Sequence, residues 1–174
     1  MRAGDDSRWK GRCSVTITAF HFLLPNWTTA IGNIPVRPGK TLRHDGPIEL
    51  CCSGLHASVR AIDALRYAHG PLVTLVECSG EIQHDTDKIV CRERRCVWGY
   101  DATEELRTFA RRCALDVIHL WDAPQIMRDY LETGDELIRS AAWAAARAAA
   151  RAAQNVTLES LLLDGAVQRG LVQP

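Results

Sequence analysis

The sequence predicts an α+β fold: a small antiparallel β-rich body with one inserted helix, followed by an all-helical C-terminal half that ends in an alanine-rich helical hairpin. Three observations carry this. Residues 72–83 and 88–98 are both rich in Val, Leu and Ile and are separated by the polar, turn-prone stretch 84–87, the pattern of a hairpin. After Gly99 the apolar period changes from two to 3.6. Residues 135–154 are almost entirely strong helix formers. At 174 residues and 47% apolar, the chain is long enough for one core and an appendage and too short for two ordinary cores. The organisation expected is a loose segment over 1–13, a core domain over 14–134 and an Ala-rich helical extension over 135–174.

The core opens at Ser14. Val15, Ile17 and Ala19 lead into the apolar run from Phe20 to Leu24, a first strand that stops at Pro25-Asn26. From Trp27 to Pro47 the turn pairs Gly32-Asn33, Pro38-Gly39 and Asp45-Gly46 leave room only for short strands, with 34–36 and 40–43 the best candidates. Residues 48–52 read as a buried strand and Ser53-Gly54 as a break. Ser58 then caps a helix over 59–68, with Ile62, Leu65 and Tyr67 on its covered side and His69-Gly70-Pro71 as its stop. In the hairpin that follows, Gly80 marks a bulge.

Beyond Gly99, Asp101 or Thr103 caps a helix through Cys113, with Leu106, Phe109, Ala110 and Cys113 on one face. Val117, Ile118, Leu120 and Trp121 extend that face to Ala123-Pro124. Ile126, Met127, Tyr130 and Leu131 make a short helix that stops at Gly134. In the tail, Arg139, Trp143, Arg147 and Arg151 form a stripe while the alanine faces allow close helix approach. Asn155 ends this helix and Thr157 caps a last one bearing Leu158, Leu161, Leu162 and Leu163, which completes the hairpin.

Composition excludes several classes. Lys and Arg number 21, as do Asp and Glu, so no global field draws polyanions. The basic runs around Arg92 to Arg95 and Arg107 to Arg112 are interleaved with Glu93, Glu104 and Glu105, which reads as solvated faces rather than a nucleic-acid groove. No apolar run approaches the roughly 20 residues of a membrane span, and residues 1–10 lack a signal-peptide core, so the protein is expected to be soluble and cytoplasmic. Seven cysteines in such a chain read mostly as buried thiols. Cys51, Cys52, His56, Cys91 and Cys96 offer zinc as an alternative, but no Cys-x2-Cys or His-x3-His step occurs, and no metal is expected.

Among candidate chemical residues, His56 follows Ser-Gly-Leu at a strand-to-helix turn, where near-neutral titration suits binding or proton transfer. A hydrogen-bonded structural role competes with that reading, as does a core role for Tyr67. Glu77, inside an apolar strand, either faces out or is neutralised by an arginine. The Arg/Trp stripe is either a solvated face, with Arg147 over Trp143 in a cation–π contact, or a surface where Trp143, Arg147 and Arg151 bind a second copy or another protein. No phosphate loop, nucleophile elbow or His-Glu-x-x-His pair is present.

Residues 17–22 (ITAFHF), 36–40 (VRPGK), 49–56 (ELCCSGLH), Val76-Glu77 and the Ala/Arg/Trp tail together resemble an uncharacterised domain family of bacterial and phage genomes, with a Cys-x-x-Gly-aromatic-His turn and often an alanine-rich tail. The resemblance implies a phage or prophage accessory role. A second, local resemblance joins Gly54-Leu55-His56, Tyr67 and residues 72–80 to the poly-ADP-ribose-polymerase-like transferases. There, two tyrosines sandwich nicotinamide; His56 would replace the first and Tyr67 matches the second, with His21 on the first strand and Glu93 as the catalytic glutamate. The function expected is thus a cytoplasmic accessory protein that binds a protein partner, with phage–host conflict as one setting, with no cofactor and with a homodimer through the C-terminal helices as one form of assembly. The alternative is an NAD-dependent transferase with His56 and Tyr67 lining the nicotinamide pocket.

Overall fold

The computed structural model describes residues 15–169; the loose segment expected over 1–13 lies outside them. The architecture is α+β, and tertiary contacts divide the chain into two units that meet between Thr103 and Glu104.

The first unit is a five-stranded antiparallel sheet of β1 (Ile17–Leu23), β2 (Thr41–Arg43), β3 (Leu55–Ala57), β4 (Leu72–His84) and β5 (Ile89–Asp101), with the short helix α1 (Ala61–Leu65) before β4. Strands β4 and β5 form the expected hairpin, closed by the Asp85 amide donating to the Lys88 carbonyl at 2.9 Å. The ladder shifts register between Ser79 and Ile82, where Gly80 takes φ +80°, so the expected bulge is there. Strand β1 lines the other edge of β4, with Ala19 opposite Val76 and His21 opposite Thr74. Strands β2 and β3 share the far edge of β5, with Leu42 opposite Arg94 and His56 opposite Val90.

The strand path then returns to its start. Ser58, just past β3, exchanges backbone hydrogen bonds of 2.7 and 3.0 Å with Phe20 of β1. Strands β1, β4, β5 and β3 thus close into a ring, which removes two sheet edges. Ala19, Val76, Cys78 and Cys91 point inward, where they pack with Ala57 and Ile89. Leu23, Val36, Leu42, Leu72 and Cys96 form a second cluster.

Several local expectations are corrected here. Residues 48–52 are a turn, not a strand: the Glu49 carbonyl accepts from Ser53 at 2.9 Å and Cys52 at 3.1 Å, and the Ser53 hydroxyl donates to the Pro47 carbonyl at 2.6 Å. The local bonds consume the groups a ladder needs. Ser58 is no helix cap, because both its backbone groups are spent on Phe20. Helix α1 starts three residues later, behind Arg60, which binds Asp63 at 2.6 Å. Its covered residues are Asp63 and Ala64, whereas Ile62 and Tyr67 face out. Residues 34–36 reach only a single bridge, Pro35 to Thr28.

The second unit comprises α2 from Glu104 onward (Thr103–Asp116), a 3-10 turn (Ile118–Leu120), α3 (Gln125–Thr133) and α4 (Glu136–Gln168). The Asp101 carboxylate accepts from the Thr103 amide at 3.0 Å, the expected cap of α2. The core is Met127, Tyr130, Leu131 and Ala142, flanked by Ala114, Leu115, Ile118, Ile126, Ile138 and Ala146. Helices α3 and α4, on either side of residue 134, therefore share one core, and fully buried Ala142 lets them approach closely. The apolar face expected on α2 is corrected: Phe109 and Cys113 are exposed, and the helix meets this core through Ala114 and Leu115 in its last turn.

The expected hairpin is also corrected, since α4 runs unbroken for 33 residues. Asn155 costs well under ~1 kcal/mol in a helix, whereas a break there would strand four carbonyls. Its amide donates to Glu159 at 2.9 Å, and the Thr157 hydroxyl returns to the Ala153 carbonyl at 3.1 Å instead of capping a new helix. Among the described residues, no helix is long and apolar enough to cross a membrane.

Candidate functional site

The site is organised around His56, and Gly54 puts it there. With φ +110°, Gly54 turns the chain from the 49–53 loop straight onto β5, and a Cβ on it would meet Val90 at 2.5 Å and Ile48 at 3.1 Å. His56 consequently sits within a strand rather than at a strand-to-helix turn. Its Nε2 accepts the Cys51 amide at 3.1 Å, so the ring proton is on Nδ1. Partial burial, then the charges of Lys88 and Arg94, hold this imidazole below the ordinary histidine value of 6.5.

Outward from His56 runs a chain of polar contacts. Lys88 stands beside Cys51 and lies 4.9 Å from the centroid of the Tyr67 ring, with its ammonium 3.4 Å from the Tyr67 hydroxyl. The hydroxyl donates to the Asp87 carboxylate at 2.7 Å, which also takes Arg66 at 3.1 Å. Contact with Cys51 and Tyr67 pushes the Lys88 ammonium up, so it stays charged. Tyr67, 45% exposed, is thus a surface residue whose ring already carries a cation.

Inward from His56 lies Arg94. Its side chain is 5% exposed, and its guanidinium donates to the His56 carbonyl. Cys78 opposite it and Cys96 two residues on share its inner face. The bond to Cys91 and then burial hold the Cys78 thiol far up, and burial raises Cys96. The same bond to Cys78 holds Cys91 down, and the Cys91 sulfur lies 3.2 Å from the Leu55 carbonyl. His21 stands next to Phe20, at the β1–β3 junction. Its Nε2 is shut off from solvent with no hydrogen-bond partner, the one such side-chain atom among the described residues. Burial, then Arg94, His56 and His69, hold His21 well below 6.5.

His56 and Tyr67 thus share one patch around Cys51 and Lys88, whereas His21 is enclosed on β1. Glu93 is not part of that patch. It alternates with Arg94 to the other face of β5, where it lies 3.6 Å from Arg43. Glu77 both faces out and is neutralised, by Arg95 at 2.9 Å. In the second unit, Trp143 and Arg147 line a shallow depression with Glu136, Arg139 and Ser140, while Arg151 is exposed beyond it. The expected cation–π cover of Trp143 by Arg147 is corrected, because the cation–π contacts among the described residues are Arg37 on Trp27 and Lys88 on Tyr67. No group of three or more His, Cys, Asp or Glu side chains among the described residues could hold a metal ion.

The sequence profile of a domain of unknown function (DUF7666) matches residues 17–108. The chain belongs to the DUF7666 family. The matched span holds all five strands and every residue around His56, and leaves α3 and α4 outside. No curated protein and no solved structure matches the chain.

Arg94 and Lys88 were missed in the sequence. A parity signal existed for the first: Arg94 is two residues before Cys96, on the inward side of its strand. It was masked by the three neighbouring charges, which read as a solvated face.

Proposed function

We propose that this DUF7666 protein is a non-enzymatic, cytoplasmic accessory protein of phage or prophage type that acts by binding a protein partner in phage–host conflict, with α4 as its assembly element. One observation carries the assembly role: Val156, Leu158, Leu161, Leu162 and Leu163 are 55–67% exposed on the distal half of α4. A helix this apolar on most sides is stable in water only when something covers it. The occupant favoured is a second copy. Arg147 and Arg151 lie in the first half of the helix and Glu159 and Asp164 in the second, so antiparallel pairing sets opposite charges against each other. Light scattering on the whole chain tests this. A dimer mass that becomes a monomer mass in the Leu158→Glu, Leu162→Glu double variant supports the reading, and a monomer at all concentrations removes it.

A second reading, an NAD-dependent transferase, is favoured by the meeting of His21 and His56 at the β1–β3 junction. The ammonium over the Tyr67 ring weighs against it, since cationic nicotinamide would have to displace a like charge. A rise in melting temperature with NAD that is lost in His56→Ala and Tyr67→Phe would establish this reading in place of the first. Its absence in a folded protein ends the reading.

A further inference from the structure

Ala19, His21 and Leu23 alternate to one side of β1, and the two flanking residues on that side have no exposed surface. The imidazole is enclosed between them. Its Nε2 is cut off from water and has no hydrogen-bond partner. A proton added while the strands stay closed would leave a bare charge in the interior, so His21 can be charged only if part of the surrounding wall opens to water.

The two sides of β1 differ in how firmly they are held. Toward β4, seven residue pairs run from Ile17–Cys78 to Leu23–Leu72, and the Thr74 hydroxyl adds a bond of 2.7 Å to the carbonyl of His21 itself. Toward β3, a single pair closes the seam among the described residues: Phe20 and Ser58 exchange backbone bonds of 2.7 and 3.0 Å. Ser58 lies just past the end of β3, whose own three pairs with β5 do not involve it. Parting Phe20 from Ser58 therefore breaks two hydrogen bonds and leaves every ladder of the sheet in place. It is the least costly way to bring water to the residue next to Phe20.

We propose that the seam between Phe20 and Ser58 is an acid-operated opening in the strand ring, released by a proton on His21 while the β1–β4 and β3–β5 ladders stay paired. It exposes the inner cluster around Ala19 and Ala57, together with the strand edges at Phe20 and Ser58. The device is independent of how α4 is used. Burial, then the charges of Arg94 from β5, His56 from β3 and His69 after α1, hold the enclosed imidazole well below 6.5. From β4 the residue opposite is uncharged Thr74, and α1, which lies against β1, brings Asp63 and Arg60 already bound to each other at 2.6 Å. Opening is thus favoured as pH falls below 6.5, where a water-exposed histidine takes up its proton, and is suppressed above about pH 7.

Native-state amide hydrogen exchange on the full chain tests it, read by NMR at pH 7.5 and 5.5 with and without sub-denaturing urea. After correction for intrinsic exchange rates, protection of the Phe20 and Ser58 amides is expected to fall about tenfold between the two pH values. That fall should be insensitive to urea, because a local seam exposes little surface, whereas amides of the β4–β5 ladder lose protection as urea is added. His21→Gln should abolish the pH dependence at the seam, and His56→Asn and His69→Asn should keep it. Equal protection at both pH values in the unmodified chain overturns the proposal, as does a fall that survives His21→Gln, which would place the proton elsewhere. Seam amides that share the urea dependence of the ladder amides overturn it too, since acid would then act by unfolding the whole sheet.

Discussion

The guanidinium of Arg94 donates to the main-chain carbonyl of His56 on the neighbouring strand. This bond adds a side-chain tie to the β3–β5 ladder and links enclosed Arg94 to the residue whose ring faces the patch of Cys51 and Lys88. It also keeps a full charge inside a core otherwise made of alanine, valine, isoleucine and thiols.

Replacing that charge should therefore stabilise the protein. Arg94→Met fills similar volume without the desolvation cost and is expected to raise unfolding stability by about 1–3 kcal/mol in phosphate-free buffer. Urea denaturation checks this, and a lower midpoint would mean that the bond to His56 outweighs the buried charge.

Acid should weaken the fold through His21. Unfolded, this histidine takes up a proton near 6.5; folded, burial and Arg94 keep it neutral far below that value. The unfolded state then binds more protons, so stability is flat above about pH 7 and falls below 6.5, by up to about 1.4 kcal/mol per pH unit from this residue. His56, also lowered, steepens the loss. Denaturation from pH 7.5 to 5 in phosphate-free buffer should show the slope, and His21→Gln should reduce it.

Lys88→Gln should raise the titration midpoint of His56. The ammonium is the largest charge effect on that ring, and its removal leaves burial and Arg94 to hold the value down. NMR titration of the His56 side chain reads this directly; an unmoved midpoint would show that Lys88 does not bear on the imidazole.

Gly54→Ala should destabilise the sheet unit by about 2–4 kcal/mol. A Cβ at φ +110° is strained and would lie 2.5 Å from a methyl group of Val90, which has no free space to move into on a strand. Chemical denaturation checks the magnitude. A loss below ~1 kcal/mol would mean that the 49–53 turn adjusts, and His56 would then no longer be held in register.

In the helical unit, Ala142→Leu should cost about 1–3 kcal/mol, because Ala142 has no exposed surface at the α3–α4 contact. Ala148→Leu, exposed on the same helix, is the control that should leave stability unchanged.

Much of this was legible in the chain. The β4–β5 hairpin, the Gly80 bulge, the Asp101 cap and the Gly134 stop follow from turn chemistry and periodicity, which act between residues close in sequence. Local signals failed at residues 48–58 and at Asn155. In the first place, Ser58 resembles a helix cap, but its backbone groups are claimed by Phe20, 38 positions away in sequence. In the second, an asparagine and a threonine resemble a break, yet α4 continues because nothing there forbids it.

By itself, the order of residues determined the sheet-then-helix division, the hairpin and the membership of His21, His56 and Tyr67 in the first half, since alternation and 3.6-residue spacing are properties of neighbouring side chains. Only the tertiary structure decided that the strands close on themselves, that Arg94 turns inward while Glu93 turns out, and that the His21 imidazole is enclosed without a hydrogen-bond partner. Those outcomes depend on the pairing of β1 with the end of β3 and on a register shift in β4–β5, and long-range pairing of this kind is fixed by the summed burial of the whole core rather than by any stretch of sequence.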